Sequence, residues 1–263
     1  MSGLSHLTSL SHYGCCGTKR GVYGYIYMSR EFTISVPREQ SDIKLHQYQK
    51  YVKLIQDNGE DIDENFLRLK VLEIFCGLTM KEAYDLPVNE LDFIVAHILT
   101  LLNNRAKLER TFTMSDPKGN TVKFGFIPNL DEMTLGEFVD AEKYLTSWED
   151  MHKALSVLYR PVTAGKGDFY LIEGYQGSHK YSDVMKDAPV TVALGAMVFF
   201  YSLGMELLKT TMRSLEEELQ NEDLSQEKNP LDENGDGINR YMHLLQETQQ
   251  SLTKLHNSIF INV

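Results

Sequence analysis

The residues with the clearest potential for chemistry are oxygen-bearing side chains near the C-terminal end of the chain. Asp232, Asn234 and Asp236 alternate along the sequence and precede Gly237, as in the first half of an EF-hand calcium loop. The twelfth position of that loop is His243, where an EF-hand places a bidentate glutamate. An ordinary Asn/Asp/Gly turn before a helix therefore explains this segment better than a calcium site.

A second group of ionisable residues lies in the middle of the chain. Asp140, Glu142 and His152 fall on two neighbouring predicted helices, where two carboxylates and an imidazole suit acid–base or metal chemistry. Adjacent helices bring such triples together by chance, and no HExxH motif or nucleophile elbow accompanies them. We therefore predict no catalytic residue, no metal site and no cofactor.

The cysteines give no sign of a disulfide framework. There are three of them, Cys15, Cys16 and Cys76, and two are adjacent. They also lack the paired CxxC spacing of a zinc site. Cys76 ends an apolar run and is expected to act as a small buried hydrophobe, and a reducing compartment is the expected environment.

Composition predicts a folded protein that does not bind nucleic acid directly. The chain has 263 residues, of which 42% are hydrophobic, enough for one large core or two moderate ones. Its net charge of −11 arises from 37 acidic and 26 basic residues, which does not favour a surface that neutralises phosphates. A ring-shaped assembly that concentrates basic residues on its inner surface is the exception.

A pattern of predicted elements occurs twice along the chain. In the second half, a strand-like segment ends at Pro128, and a helix follows with apolar positions that include Leu135 and Phe138. In the first half, Leu45 and Tyr48 occupy the same places after a similar strand. Both pairs of residues are 90 positions apart (135 − 45 and 138 − 48).

The correspondence continues downstream, where each half has a short helix, a proline and a long apolar helix. Pro87 and Pro189 are 102 positions apart (189 − 87), so the second half carries about a dozen extra residues (102 − 90), which Gly165 to Gly177 can supply. We predict an internal duplication, and coincidence between amphipathic helices is the alternative. The helical segments are Met80 to Leu86 and Val88 to Leu102, then Tyr181 to Ala188 and Val190 to Leu208.

These patterns predict a mainly α fold with a small antiparallel β element. Two tandem related helical modules and a C-terminal helical hairpin make up most of the chain. Met28 is an alternative start, which would remove the N-terminal arm. The predicted divisions are a flexible arm over 1–27, the first helical module over 28–109, a β-hairpin and the second helical module over 110–208, and the C-terminal hairpin over 209–263.

Helix ends and strands carry local signals. Gly77 suits a left-handed C-cap, and Thr79 with Glu82 predicts a capping box at the start of the next short helix. Alternating residues on both sides of Asp116 to Asn120 predict a β-hairpin. Phe32 to Val36 is a predicted strand that could join the same sheet.

Four features predict contacts inside the second module. Arg160, at a predicted helix end, is expected to pair with an acidic residue of the preceding helix. Trp148 is expected to anchor the module's two helices. The small residues around Gly195 would admit another helix closely, and the uncharged run Ala188 to Met205 is interpreted as a core helix in preference to a membrane span.

One aromatic, glycine-bounded segment is a candidate docking loop. Asp168 to His179 is predicted to be a strand or loop on the surface of the second module, and packing back onto its own core is the alternative. Because aromatic side chains often anchor protein interfaces, Tyr170, Tyr175 and Tyr181 are the predicted partner-binding residues.

Part of the chain resembles a known class of proteins. Ile127 to Phe138, Met151 to Ala154 and Leu158 to Pro161 together resemble morphogenesis proteins of tailed bacteriophages that infect Bacteroidetes, including crAss-like phages. The first module is also similar to the small helical pattern of phage tail-assembly chaperones. The residues that carry this second resemblance are Phe75 to Thr79, Leu86, Pro87 and Leu91.

The resemblance spans roughly Ile34 to Leu208 and is one of pattern more than of a diagnostic motif. It implies a non-enzymatic virion morphogenesis protein, a ring, connector or tail component, with other phage structural proteins as partners. A homo-oligomer located in the virion, or in the host cytoplasm during assembly, is expected, with no membrane association. The alternatives are a tail-assembly chaperone absent from the mature virion and a calcium-binding or enzymatic protein.

Overall fold

The structure is a computed structural model that describes residues 21–27, 30–59, 62–116, 119–166 and 169–222. Within these residues the fold is mainly helical, as predicted, with two antiparallel sheets. The strands are β1 (Gly21–Tyr27), β2 (Arg30–Val36), β3 (Thr111–Ser115), β4 (Thr121–Phe126), β5 (Tyr159–Lys166) and β6 (Phe169–Ile172). The helices are α1 (Leu45–Asn58), α2 (Glu64–Cys76), α3 (Met80–Tyr84), α4 (Val88–Leu102), α5 (Leu135–Leu145), α6 (Met151–Leu158), α7 (Ser182–Met185) and α8 (Val190–Glu222).

The strands form one hairpin and one separate four-stranded sheet in the order β3-β4-β5-β6. The predicted hairpin around residues 116–120 is confirmed, with Phe112 opposite Phe124. The expectation that the strand ending at Val36 joins this sheet is wrong, because β2 pairs with β1. Since β1 covers Gly21–Tyr27, this first hairpin crosses the expected boundary between the arm and the first module.

The helix ends of the first half follow the local signals. Gly77 adopts a left-handed conformation with φ 72°, which closes α2 without steric cost. The Thr79 side chain accepts a hydrogen bond from the Glu82 N–H, and the Glu82 carboxylate accepts one from the Thr79 N–H. Pro87 then precedes α4. Cys76, expected to be buried, is half-buried, and its burial raises the pKa of the thiol to about 12.

The second half differs from prediction after α6. This helix was expected to close at Arg160 and Pro161, but it ends at Leu158, and both residues belong to β5. Arg160 pairs with Gly125 of β4, and Pro161 pairs with Phe124. The physical reason is that the ring of Pro161 clashes with a helical conformation of the preceding residue, so Arg160 adopts an extended one.

The last described helix is longer than predicted. α8 runs without interruption over Val190–Glu222, so the predicted boundary between residues 208 and 209 falls inside one helix. No proline interrupts residues 190–222, and the helix therefore continues past its buried apolar part. Among the described helices it alone, over Val190–Ser214, is long and apolar enough to cross a membrane, by length and composition only.

Three features noted in the sequence lie outside the described residues. They are the Asp232 to Gly237 turn, the predicted helix Asn239 to Phe260 and the adjacent cysteines Cys15 and Cys16. The C-terminal helical hairpin therefore stays a prediction.

The two halves meet where α1 begins. The Leu45 N–H donates to the Ala188 carbonyl at 2.9 Å, and the Val190 N–H donates to the Ile43 carbonyl at 2.8 Å. All four of these side chains are fully buried. The start of α1 and the start of α8 therefore share one core.

Trp148, which was expected to anchor the two helices of the second module, also contacts α1 of the first half. Its ring meets the ring of Tyr48 on α1 edge-on, with 4.8 Å between ring centroids. Gln49, the next residue of α1, donates from its side-chain amide to the Trp148 carbonyl at 2.7 Å. The expected anchor therefore joins the second half to the first.

The small residue Gly195 admits a close neighbour, but this neighbour is not a helix. A Cβ atom added to Gly195 would lie 3.1 Å from the Leu108 Cα and closer still to the Lys107 carbonyl. These two residues belong to the segment between α4 and β3. The expectation of a helix packed on this site is therefore wrong.

Candidate protein-contact surfaces

An apolar stripe on α5 faces the solvent. Leu135, Phe138 and Val139 are 78%, 55% and 50% exposed, while Glu137 and Ala141 on the other side of the helix are buried. The three exposed residues follow the i, i+3, i+4 spacing that places side chains on one helix face. We call them the α5 surface. This is the spacing with which a helix docks into a partner's groove.

A buried ion pair sets the orientation of α5. Thr134 and Glu137 form a capping box, in which the Glu137 carboxylate accepts from the Thr134 N–H at 2.7 Å and from its hydroxyl at 2.8 Å. The same carboxylate pairs with the guanidinium of Arg160 on β5, and both side chains are more than nine-tenths buried. The predicted pairing of Arg160 with the preceding helix is therefore confirmed. It ties the first turn of α5 to the four-stranded sheet.

The pKa of Glu137 reflects competing effects. Burial of the carboxyl raises its pKa, while hydrogen bonds from Thr134 and the charge of Arg160 lower it, and the net pKa lies below the ordinary value. Glu137 is therefore a carboxylate at neutral pH and balances the buried cation. The Arg160 Nε finds no hydrogen-bond acceptor within the described structure.

Tyr175, one of the predicted partner-binding residues, belongs to this network. Its ring lies 5.6 Å from the Arg160 guanidinium, and its hydroxyl donates to the carboxylate of Asp140 on α5. Burial is the largest cause that raises the pKa of the Tyr175 hydroxyl, followed by this hydrogen bond. The ring also lies 4.0 Å from the position of a Cβ built on Gly136. Tyr175 therefore packs against the first turns of α5 and helps to hold the helix that carries the α5 surface.

The other two predicted partner-binding residues also bond within the chain. The Tyr170 hydroxyl lies within hydrogen-bond distance of two carbonyl acceptors, Phe126 at 2.9 Å and Arg110 at 3.1 Å. The Tyr181 hydroxyl donates to Glu173, which is also paired with a lysine. Both tyrosines, like Tyr175, are half-buried. Their role in partner binding stays a prediction.

The exposed side chains near them alternate with Tyr170 along β6. Phe169 and Leu171 both face the solvent, and we call them the β6 surface. They line an open cleft of about 510 Å³, together with Arg110 and Lys166. In a strand, neighbouring side chains point to opposite faces. This alternation in Phe169 to Ile172 is the sequence signal that separates the exposed Phe169 and Leu171 from the half-buried Tyr170 between them.

A third exposed apolar group lies at the start of α4. Tyr84 at the end of α3 and Val88 at the start of α4 are both exposed, and we call them the α4 surface. Phe93 is also exposed, but it lies five residues after Val88 and so on a different side of α4. Leu86 lies between them in sequence and is buried. Sequence reasoning missed this surface, because an apolar helix pattern does not show which of its faces meets a neighbour.

The acid–base group noted in the sequence does not form one site. Asp140 accepts from Tyr175, whereas His152 lies 3.2 Å from the Gln49 side-chain nitrogen, and Glu142 is exposed. Burial, and then the charges of nearby lysines, lower the pKa of His152. Within the described parts of the chain, no group of three His, Cys, Asp or Glu residues has the geometry to hold a metal ion.

No family model, curated protein or solved structure matches this chain. What the molecule does must therefore be argued from its own surfaces. Of these, the α5 surface is the most regular, because its three apolar side chains share one face of a helix held by a buried ion pair.

Proposed function

We propose that this chain is a non-enzymatic morphogenesis protein of a tailed-bacteriophage virion, a ring, connector or tail component that acts through protein–protein contacts. The observation that carries this proposal is the α5 surface. Fully burying a large apolar side chain contributes about 1.5–3 kcal/mol, so a partner that covers Leu135, Phe138 and Val139 gains substantial affinity.

The rigid support of the α5 surface strengthens this proposal. A helix face that is positioned before binding loses little conformational entropy when a partner covers it. The capping box of Thr134 and Glu137 and the pairing of Glu137 with Arg160 supply this positioning. The resemblance to phage morphogenesis proteins, described above, selects the virion as the setting.

Two related modules are the second part of the proposal, and local geometry supports it. The 3₁₀ turns Gln40–Asp42 and Leu130–Glu132 are 90 positions apart (130 − 40). Each leads into a helix whose third residue accepts a hydrogen bond on its side chain from the N-cap N–H. In the first half Gln47 accepts from Lys44 at 2.9 Å, and in the second half Glu137 accepts from Thr134 at 2.7 Å. In both halves a hairpin precedes the 3₁₀ turn, and a short helix and a proline precede the long helix.

Corresponding long helices also make corresponding contacts. The His97 Nε2 of α4 lies 2.9 Å from the carbonyl of Pro37, just after β2. Phe199 lies 102 positions after His97 (199 − 97), and its ring meets Phe126 at the end of β4 with 5.6 Å between centroids. In each half the long helix therefore packs against the end of the second hairpin strand. The strands β5 and β6 are the additional segment of the second half.

A tail-assembly chaperone is the second candidate, favoured by the β6 surface. The open cleft beside Phe169 and Leu171 combines apolar side chains with the cations of Arg110 and Lys166. Such a cleft suits a client segment that has apolar and acidic residues. A chaperone of this kind leaves before the particle is complete.

Quantitative mass spectrometry of purified virions and of assembly intermediates tests both candidates. A structural component is expected in mature particles at a copy number that is a multiple of a ring symmetry. Presence in intermediates together with loss from mature particles supports the chaperone. Absence from both fractions contradicts the proposed virion role.

A further inference from the structure

We propose that the α5 surface of one chain binds the α4 surface of a second copy of the same chain. Chains then associate head to tail, through two different surfaces of each copy. The inference rests on the two related modules proposed above and names the partner of the α5 surface. It follows from a contact that the chain already makes between its own halves.

The internal contact joins the start of α1 to the segment between α7 and α8. The Leu45 N–H donates to the Ala188 carbonyl, and the His46 N–H donates to the Lys186 carbonyl, both at 2.9 Å. The His46 ring lies 3.4 Å from the Asp187 carboxylate. The first turn of a helix thus meets the carbonyls that follow a short helix, and the side chains of Leu45 and Ala188 there are fully buried.

The α1 side of this contact has an uncovered counterpart on α5. Leu45 and Tyr48 on α1 are 0% and 3% exposed, whereas Leu135 and Phe138, each 90 positions later (135 − 45 and 138 − 48), are 78% and 55% exposed. The side chains are of matching kind and lie on the same face of matching helices. In the part of the chain that the structure describes, the α1 pair is covered by other elements and the α5 pair is not.

The other side of the contact has an uncovered counterpart as well. Tyr84 and Val88 lie 102 positions before Lys186 and Val190 (186 − 84 and 190 − 88). Val190 is fully buried, whereas its counterpart Val88 is 68% exposed. Tyr84 is exposed too, in place of Lys186, whose side chain is itself 44% exposed. Within the described residues the chain therefore makes this type of contact once and leaves one spare copy of each side, which are the α5 surface and the α4 surface.

The electrostatics of the two spare sides match. Leu135 and Gly136 are in the first turn of α5, where N–H groups have no acceptor within the helix and carry positive partial charge. The α4 surface begins at the C-terminal end of α3, where carbonyls carry negative partial charge, and the exposed Asp85 follows directly. The equivalent N–H groups of α1 donate to the equivalent carbonyls inside the chain.

Use of two different surfaces determines the kind of assembly. A contact between unlike surfaces repeats at each added copy, and it produces a closed ring when the rotation closes or a filament when it does not. A contact of α5 with α5 instead produces a symmetric dimer and stops there. The proposed pairing therefore predicts growth beyond a dimer.

Two double variants test the pairing by analytical ultracentrifugation of the full chain. Leu135→Glu with Phe138→Glu disables the α5 surface, and Tyr84→Glu with Val88→Glu disables the α4 surface. All four side chains are exposed, so circular dichroism is expected to show native folding of both variants. If a glutamate variant is misfolded, the corresponding glutamine variant replaces it.

The native chain is expected to form species larger than a dimer, with a size that rises with concentration. Each double variant alone is expected to be a monomer, because each keeps only one of the two surfaces. An equimolar mixture of the two variants is expected to form a dimer that neither forms alone, through the intact surface of each. The matched control, Phe169→Glu with Leu171→Glu on the β6 surface, is expected to assemble like the native chain.

Three results would overturn the pairing: a native chain that stays monomeric, a mixture of the variants that stays monomeric, or an α4 variant that still assembles while the α5 variant does not. The last indicates a symmetric contact. These failures are separable from failure of the proposed function. A monomeric chain that is abundant in virions contradicts only the pairing, and a chain that assembles as described but is absent from virions contradicts only the virion role.

Discussion

Arg160 and Glu137 form an ion pair in which both side chains are buried, between the second residue of β5 and the first turn of α5. The pair connects the sheet to the helix that carries the α5 surface. Desolvating two charges is costly, and good geometry with further hydrogen bonds is needed to offset it. Here Thr134 supplies those bonds to the carboxylate, and the ring of Tyr175 lies over the guanidinium.

Loss of the cation is expected to destabilise the fold strongly. Arg160→Leu leaves the Glu137 carboxylate buried without its partner, which is expected to lower the free energy of unfolding by about 3–5 kcal/mol. Urea denaturation followed by circular dichroism measures this change. Lys153→Leu is the matched control, because Lys153 pairs with Asp150 in a more exposed position, where solvent screens the charges, and its expected cost is much smaller. Equal losses for the two variants would show that burial of the Arg160 pair has no energetic consequence.

The same pair predicts a dependence of stability on acid. Because the pKa of Glu137 is lower in the folded chain than its ordinary value of 4.5, its ionisation stabilises the folded state above that pH. This contribution is lost as the pH falls below 4.5 and through the lowered pKa. Glu137→Gln is expected to be less stable than the native chain at neutral pH, and the difference between the two is expected to shrink in acid.

Urea midpoints of both proteins, measured from about pH 7 to about pH 3, test this prediction. Glu173 and Asp183 also have lowered pKa values, because lysines bond to each of them, but these groups are present in both proteins. The comparison therefore isolates Glu137. A difference in stability that stays constant over the whole range would contradict the assigned role.

Two helical glycines are expected to respond oppositely to the same substitution. Gly195→Ala places a methyl group against the backbone of Lys107 and Leu108, and overpacking of this kind typically costs about 1–3 kcal/mol. Gly136→Ala on α5 meets only ordinary van der Waals contact with Tyr175, and it is expected to gain about 0.4–1 kcal/mol because alanine lowers the conformational entropy of the unfolded chain. Thermal unfolding at low protein concentration compares the two. A neutral Gly195→Ala would show that the segment after α4 does not lie against α8.

Removal of a tyrosine hydroxyl is expected to have opposite effects at two buried positions. The Tyr51 hydroxyl has no hydrogen-bond partner within the described structure, so Tyr51→Phe is expected to raise the free energy of unfolding by about 1 kcal/mol. The Tyr159 hydroxyl donates to the Glu109 carbonyl at 2.8 Å, so Tyr159→Phe is expected to lower it by about 1 kcal/mol. Urea denaturation measures both values. If both variants change the free energy of unfolding in the same direction, the hydrogen bonding in the structure is wrong for one of the two tyrosines.

Features set by neighbouring residues could be predicted from the sequence. The left-handed Gly77, the capping box of Thr79 and Glu82, the start of α4 after Pro87 and the hairpin of β3 and β4 were all predicted. In each case the cause lies within a few residues, such as a missing Cβ, a side chain that reaches the backbone or a fixed φ angle. The pairing of Arg160 with the preceding helix was predicted too, since the two elements are close in the chain.

Only the tertiary structure decided which apolar faces are covered. Leu45 and Leu135 occupy the same position in similar helices, yet one is fully buried and the other is 78% exposed, because burial depends on an element about 140 residues away in sequence. The same holds for β2, whose edge pairs with β1 and not with the four-stranded sheet. Sequence periodicity identified Leu135 and Phe138 as apolar positions of α5 by local rules, but it did not identify Val139. Whether that face meets the chain itself or remains open to a second copy depends on contacts between distant segments, and no local rule encodes those contacts.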